Sequence, residues 1–341
     1  MLNHGGRLNQ AAKKFNIPVE NWIDLSTGIN PYHWPLPQIP DDCFTRLPED
    51  DDGLIKAAQQ YYQTGHLLAV AGSQAVIQLL PHLREKSKVA VPAVGYAEHA
   101  YQWKKAGHDV VFYQASDLEK IINTVDVLII INPNNPGGEL YQRQHLIEWH
   151  QQLQTRQGWL IVDEAFIDAE VTAVSVVDLA HTPGLIVLRS VGKFFGLAGI
   201  RSGFVFAEQA LLDNIKESLG PWSLSAVSRY ITKLALSDRA WQQQMTVILQ
   251  QSSQKLDQLI VRYSGQKPAG THLFKTLMHT QAEQLAQLFA EKAVLVRLLD
   301  NRQGIRLGLP KETQWQQLEL VFSQVFRNIN STQQKETRRT A

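Results

Sequence analysis

Lys193 stands in the stretch LIVLRSVGKFFGLAGIRSGF (185–204), between the small-residue turn Ser190-Val191-Gly192 and a mostly apolar run, with Arg201 eight residues further on. An ammonium in an apolar pocket sheds its proton more readily than one in water, and the free amine is the nucleophile that condenses with an aldehyde. Asp163 ends the run WLIVD (159–163) among apolar neighbours. A carboxylate there is costly unless a cation or a donor meets it, and a protonated ring nitrogen is such a partner. Asn134 and Asn135 lie in INPNNPGG (131–138), where prolines and glycines dictate a rigid, sharply turning loop with amide donors on it. Gly72, Ser73 and Gln74 in AGSQ (71–74) open a helix after a strand, a place where backbone N–H groups and a hydroxyl suit a phosphate. Ser190 and Arg201, on either side of Lys193, suit the same phosphate.

Each feature has a plainer reading when taken singly: a strand-to-helix turn, an asparagine turn, a strand-end cap and a surface lysine. Their order is what changes the weight. A phosphate cradle, an asparagine, an aspartate and a lysine follow successive strands of one sheet. Together they supply what pyridoxal 5'-phosphate needs: a phosphate anchor, a donor to the ring hydroxyl, a carboxylate for the pyridinium nitrogen and an amine for the aldehyde.

The elements that must position these groups are legible as β-rich runs at 66–70, 88–92, 109–113, 125–131, 159–163, 185–190 and 203–207, with helical text such as 73–83 and 144–156 between them. Apolar strands bounded by helices predict an α/β large domain with a mostly parallel central sheet covered on both faces. Ligands of such sheets bind beyond the carboxyl ends of the strands. After about residue 208 the text changes to a glutamine-rich helical stretch (223–262), then strand (272–278), helix (281–293), two strands (294–299 and 304–310) and a last helix (313–328). This is a smaller α+β domain. The expected division is an N-terminal arm, 1–40, contributing to the small domain; a large domain, 41–225; a small domain, 226–328; and a polar, disordered tail, 329–341.

The chain has 341 residues, a formal net charge of +1 and 19% charged residues, which gives no electrostatic case for nucleic acid or an anionic membrane. The single cysteine, Cys43, has no internal partner for a disulfide and fits a reducing compartment. The start MLNHGGRLNQ lacks a signal-peptide pattern, and the aliphatic run 127–131 is far short of a membrane span. A cytoplasmic protein is expected. The eleven histidines show no metal-ligand spacing, and no phosphate-loop or dinucleotide glycine motif follows a strand. Asp50 and Asp52 in PEDDDG read as a solvated helix start.

The set NNPGG, VDEAF and SVGKFFGLAGIRSGF resembles the fold-type-I pyridoxal-phosphate enzymes, in the histidinol-phosphate aminotransferase branch, over nearly the whole chain. Within that branch HGG (4–6), WIDLSTGINP (22–31) and VGYAEHAYQWKKAGH (94–108) are similar to the threonine-phosphate decarboxylases. The resemblance implies that Lys193 forms the Schiff base and that Asp163 pairs with the ring nitrogen. It implies that Asn135 bonds the ring hydroxyl and that Gly72, Ser73, Ser190 and Arg201 hold the cofactor phosphate, with Gln74 beside them. It implies that Arg306 binds a substrate carboxylate, that Arg297 meets a substrate phosphate, and that His4 and Asn30 line the substrate site. It also implies a two-fold homodimer acting on a small phosphorylated amino acid. The ring that stacks on the cofactor stays open: spacing to Gly107 favours His99, side-chain type favours Tyr96. Three positions depart from the family pattern: Gly137 replaces a threonine, Gly192 a serine, and Phe166 the tyrosine of many relatives, although decarboxylase-like members also have Phe there. The implied reaction is decarboxylation of L-threonine O-3-phosphate. Its rivals are an aminotransferase, which shares every cofactor residue, and a catalytically silent scaffold, against which the intact Lys193–Asp163–Arg201 set argues.

Overall fold

The structure is a computed structural model that describes residues 5–340, with side chains through Ile329. His4 lies outside the described residues. The strands run β1 (Ile23–Asp24), β2 (Leu67–Val70), β3 (Lys88–Pro92), β4 (Asp109–Tyr113), β5 (Val127–Ile131), β6 (Trp159–Asp163), β7 (Leu185–Ser190), β8 (Gly203–Phe206), β9 (Ala269–Gly270), β10 (Phe274–Met278), β11 (Val294–Leu295), β12 (Arg297–Leu298) and β13 (Gly304–Gly308). By contact the chain divides into two compact units: residues up to Tyr32 together with those from Val247, and His33–Thr246.

The His33–Thr246 unit holds a seven-stranded sheet in the order β2-β8-β7-β6-β5-β3-β4. All neighbours are parallel except β8, which runs antiparallel to both β2 and β7. The expected mostly parallel sheet is therefore present, and each of its seven strands falls on a run read from sequence. β5 (VLIII) and β7 (LIVLRS) are buried along their whole length, as strands covered on both faces must be. Val89, Ile129, Ile161, Ile186 and Val205 pack into one cluster with Ile77 and Leu80 from the helical segment after β2 and Trp103 from Glu98–Lys105. Each such side chain contributes about 1.5–3 kcal/mol on burial. This core fixes the carboxyl ends of β2, β5, β6 and β7.

The other unit contains the antiparallel sheet β12-β13-β10-β9 and the short parallel pair β1-β11. Phe289, Phe322 and Phe326 form its aromatic core, with Phe289 edge-on to Phe322 at 5.0 Å. Helix Leu8–Phe15 buries Ala11 and Ala12 against Trp22, Ala290 and Ala293. It ends on Asn16 in the left-handed conformation, with Lys13 and Lys14 in its last turn.

The expected boundaries at 40/41 and 225/226 differ from the observed 32/33 and 246/247. Helix Ala226–Ser237 belongs with the sheet unit because it is bonded there. Arg229 donates from Nε and Nη2 to the Asp52 carboxylate at 2.7 and 2.9 Å, and Lys233 Nζ donates to the Asp52 carbonyl at 2.9 Å. Asp52 also accepts from Leu54 N at 3.0 Å, so it is an anchor and not a solvated helix start; Asp50, exposed beside Lys216, fits that description. The last helix runs Trp315–Thr340, through the polar stretch expected as a disordered tail, because lysine, glutamine and arginine are compatible with continuing a helix once it has started. Among the described residues no helix is long and apolar enough to cross a membrane, and no group of three or more His, Cys, Asp or Glu is placed to hold a metal.

Candidate cofactor and anion sites

β6 ends on Asp163, which is only 3% exposed. Its Oδ2 lies 2.9 Å from Nε2 of buried His99, and its Oδ1 accepts from Ala165 N at 3.1 Å. The Asp163 carbonyl accepts from Asn132 N at 2.8 Å, tying the 131–138 loop to the strand end. Within that loop Asn134 Nδ2 is committed to Val94 O at 2.9 Å and to Glu139 Oε2 at 2.8 Å. Asn134 is thus a structural residue of the turn, and Asn135 beside it is half-buried. A Cβ on Gly137 would meet only the mobile carboxylate end of Glu139, so the structure gives no steric reason for glycine where the family pattern has threonine.

β7 leads through Ser190 into the single helical turn Val191–Phe194 that carries Lys193. Lys193 is half-buried, with Nζ 5.3 Å from the centroid of the buried Phe166 ring. Phe166 therefore presents an aromatic face to the amine, where a tyrosine would add a hydroxyl. A Cβ on Gly192 would lie 3.0 Å from Ala198 Cα, so the serine of the family pattern would need the next turn to give by a few tenths of an ångström.

Arg201 is left-handed at φ +52°, a strained conformation for a residue with a Cβ, and its Nη1 donates to Ala198 O at 3.1 Å. The guanidinium lies against Gly72: a Cβ there would meet Arg201 Nη2 at 2.7 Å. Gly72 itself has φ +77°, and the two demands together require glycine. Gly203 plays the matching part on β8, since a Cβ would meet Ser73 N at 2.8 Å and Arg189 O at 2.7 Å. Arg201 is thereby held beside the first N–H groups of helix Ser73–Leu79, which have no acceptor within the helix. This cradle of donors and positive charge fits the phosphate of pyridoxal 5'-phosphate, and Asp163 and Lys193 fit its ring nitrogen and aldehyde.

Tyr96 Oη donates to Gln74 Oε1 at 3.0 Å, and Gln74 Nε2 donates to Glu98 Oε2 at 3.1 Å, so Gln74 braces the turn through its side chain. Burial, with Glu98 and Asp163 adding to it, holds the Tyr96 phenol well above its ordinary range, and the phenol stays protonated as a donor. Tyr96 and His99 meet edge to face, with centroids 6.1 Å apart.

Sequence reasoning missed the cluster behind this wall. Arg189, 7% exposed, lies 3.5 Å from Glu164 and 3.2 Å from Asp168, and its guanidinium sits 5.1 Å from the Tyr62 ring centroid. Burial works against its charge, but Asp168 and Glu164 outweigh it and hold the proton firmly. Burial also lifts the Glu164 carboxyl above its usual range, with Arg189 and Ser175 pulling it back. The available signal was an arginine inside the otherwise aliphatic β7.

In the other unit Arg297 and Arg306 sit directly opposite each other on antiparallel β12 and β13. Arg306 is 9% exposed, lies over the Phe274 ring at 5.2 Å and donates from Nη2 to Ser26 O at 2.9 Å. Burial, with Arg297 beside it, pulls its pKa down to about 10. Arg297 donates to Asp300 Oδ1 at 2.8 Å; burial lowers its pKa, Asp300 opposes this, and Arg7 lowers it further. Asn30, 2% exposed, accepts from Tyr32 N at 2.8 Å. Arg7 was not among the residues singled out from sequence. A surface arginine at the start of a helix carries no pattern that marks it.

Comparison with known proteins yields a family model, aminotransferase class I and II, matching residues 45–307. The chain is 44% identical to the threonine-phosphate decarboxylase of Pseudomonas aeruginosa over 94% of its own length and 97% of that protein. It is 37% identical to a threonine-phosphate decarboxylase of a Sinorhizobium species, covering 90% and 92% of the two chains. In fold it is similar to the histidinol-phosphate aminotransferase of Sinorhizobium meliloti solved in complex with pyridoxal-5'-phosphate, with a TM-score of 0.81 at 18% identity over 96% and 99% of the chains.

Proposed function

Because the chain belongs to the class I and II aminotransferase family, we propose that it is a pyridoxal-phosphate-dependent carboxy-lyase. It converts L-threonine O-3-phosphate to (R)-1-aminopropan-2-yl phosphate and carbon dioxide, a step of cobalamin biosynthesis. The observation that carries this reading is the near end-to-end likeness, at 44% identity, to the Pseudomonas decarboxylase.

When bound, the cofactor would supply a protonated ring able to accept the electron pair left by the departing carboxylate. The chain's residues set the conditions for that. Lys193 Nζ would hold the cofactor aldehyde, and it is the group that would return a proton to the substrate carbon. Asp163 keeps the ring nitrogen protonated, and His99 Nε2 orients Asp163. His99 is therefore a positioning residue, and half-buried Tyr96 is the ring that faces the cofactor. Asn135 donates to the ring hydroxyl; Gly72, Ser73, Ser190 and Arg201 hold the phosphate, with Gln74 bracing the turn. Arg306 takes the substrate carboxylate and Arg297 the substrate phosphate, each with the planar fork that suits a bidentate anion. His4 and Asn30 belong to the substrate site. Decarboxylation and transamination share this equipment and differ in which substrate bond stands perpendicular to the ring.

The purified protein incubated with threonine phosphate is expected to release carbon dioxide without any 2-oxo acid. Consumption of substrate only when a 2-oxo acid is present, with no carbon dioxide, makes it an aminotransferase instead. A cytoplasmic two-fold homodimer is part of the same reading, supported by the family resemblance. Sedimentation of a fully active monomer at micromolar concentration contradicts it.

A further inference from the structure

We propose that Arg7 is a specificity-determining residue, a third guanidinium that acts with Arg297 in recognising a phosphate ester. The inference deepens the functional reading above and rests on it for the identity of the ester. It starts from the two glycines that precede Arg7. A Cβ on Gly5 would run into the Ser26 carbonyl, and Gly6 N donates to Ser26 Oγ at 2.8 Å. Ser26 is itself fixed, its Oγ donating to Asp24 Oδ1 at 2.6 Å. The same Ser26 carbonyl accepts from Arg306 Nη2 at 2.9 Å. Side-chain-free backbone is thus what lets the N-terminal segment press against the residue that also ties down Arg306.

Arg7 follows at once and is rooted as the cap of helix Leu8–Phe15, its carbonyl accepting from Ala11 N at 3.1 Å. That helix is docked by Ala11 and Ala12, so the root of the Arg7 side chain is held in place. Arg306 faces Arg297 across β12 and β13, and the charge of Arg7 reaches Arg297. Through Ser26, the segment that carries Arg7 is therefore joined to the strand pair that carries Arg306 and Arg297. Arg306 is buried, Arg297 half-buried and Arg7 exposed. A phosphate dianion carries more charge than a carboxylate and offers more acceptor oxygens, so an added cation favours the phosphate.

The test uses the proposed product, (R)-1-aminopropan-2-yl phosphate, against 1-aminopropan-2-ol, which lacks the phosphate; neither carries a carboxylate to lose. Binding of each to the holoenzyme is measured by calorimetry for the wild type, Arg7→Gln, Arg7→Met and Arg7→Lys. The expected result is a loss of roughly tenfold for the phosphate ester in Arg7→Gln, with binding of the alcohol unchanged and Arg7→Lys keeping most of the affinity. Arg7→Met keeps the apolar stem and serves if the glutamine variant does not fold. Equal losses for both ligands, or no loss for the ester, overturn the proposal. If the wild type releases no carbon dioxide from threonine phosphate, the decarboxylase reading fails by itself, and the comparison of ester with alcohol still decides the role of Arg7.

Discussion

The two units treat charge differently at one place each. In the sheet unit, buried charge comes with a partner: Asp163 with a ring nitrogen of His99, and Arg189 between Glu164 and Asp168. The other unit also pairs its buried Lys275 with Asp257, at 2.9 Å, but at one place it brings like charges together. Arg297 and Arg306 oppose each other across two strands, a destabilising arrangement by itself, and Arg7 adds to the repulsion while Asp300 relieves part of it. A site for a resident cofactor is built with its carboxylates, donors and cations already arranged, so that little reorganises on loading. A site for a visiting substrate keeps positive charge in excess, and the visitor brings the compensation. Stability and function should therefore respond together in the first region and in opposite directions in the second.

The sharpest break is at Lys193. Lys193→Ala should retain the cofactor loosely, because Arg201 and the Gly72–Ser73 turn still hold its phosphate, and lose turnover by roughly 10³-fold or more. Borohydride treatment of the wild type should bleach its visible absorbance and leave the cofactor attached to Lys193; the variant should release it on denaturation. A colourless wild-type protein that takes up no pyridoxal phosphate ends the cofactor assignment.

Next come the arginines. Arg297→Ala should weaken binding of threonine phosphate by roughly 2–4 kcal/mol and affect unphosphorylated threonine much less, whereas Arg306→Ala should hurt both. Arg297→Ala should also leave the melting temperature of the ligand-free protein unchanged or raised, since it removes one of two opposed cations. Measuring kcat/KM on both substrates together with the melt checks the pair. A fall in stability that parallels the fall in activity erases the contrast between the units.

Gly203→Ala probes the sheet unit by packing instead of charge. Its Cβ would meet backbone on two sides, Ser73 N at 2.8 Å and Arg189 O at 2.7 Å, neither of which yields as a side-chain tip would. The expected cost is about 1–3 kcal/mol, with cofactor affinity lowered as the turn shifts. Gly199→Ala, which meets nothing within 4 Å, is the control. Equal cofactor affinity in the two variants would detach the phosphate cradle from this packing.

Much of the cofactor region was legible because it is written in local text. Each of its residues follows a strand of recognisable apolar run, and strand order places them at one sheet edge. What was not legible depended on register and on side chains reaching across the fold. The bond from His99 to Asp163 joins residues 64 positions apart. The partners of Arg189 lie on a neighbouring strand's continuation, and an arginine in an aliphatic run names no partner. Arg7 could be read only after the glycines before it were seen against Ser26. The unit boundary moved because Arg229 finds Asp52, 177 positions away, a pairing that no periodicity shows.

The smallest expected effect tests the charge excess directly, through pH. Burial and Arg297 lower the folded pKa of Arg306 to about 10, below its ordinary value in an unfolded chain. For a base shifted this way, the unfolded state binds more protons once pH exceeds about 10, so stability rises with pH there. The favourable contribution is complete above the unfolded pKa and is lost as pH falls through the folded one; near neutrality Arg306 is charged in both states and its charge costs stability. Half-titration at the folded pKa corresponds to a gain of about 0.4 kcal/mol relative to pH 8. Urea midpoints at pH 8 and pH 10 for the wild type and Arg306→Gln isolate this increment, because the other lysines and tyrosines titrate alike in both. The wild type should gain about that much more than the variant. Saturating (R)-1-aminopropan-2-yl phosphate should shrink the difference, since a bound anion favours the charged guanidiniums and raises the Arg306 pKa. Identical pH responses in the wild type and the variant would mean that Arg306 carries its charge without cost, and that the second unit holds no excess for a substrate to neutralise.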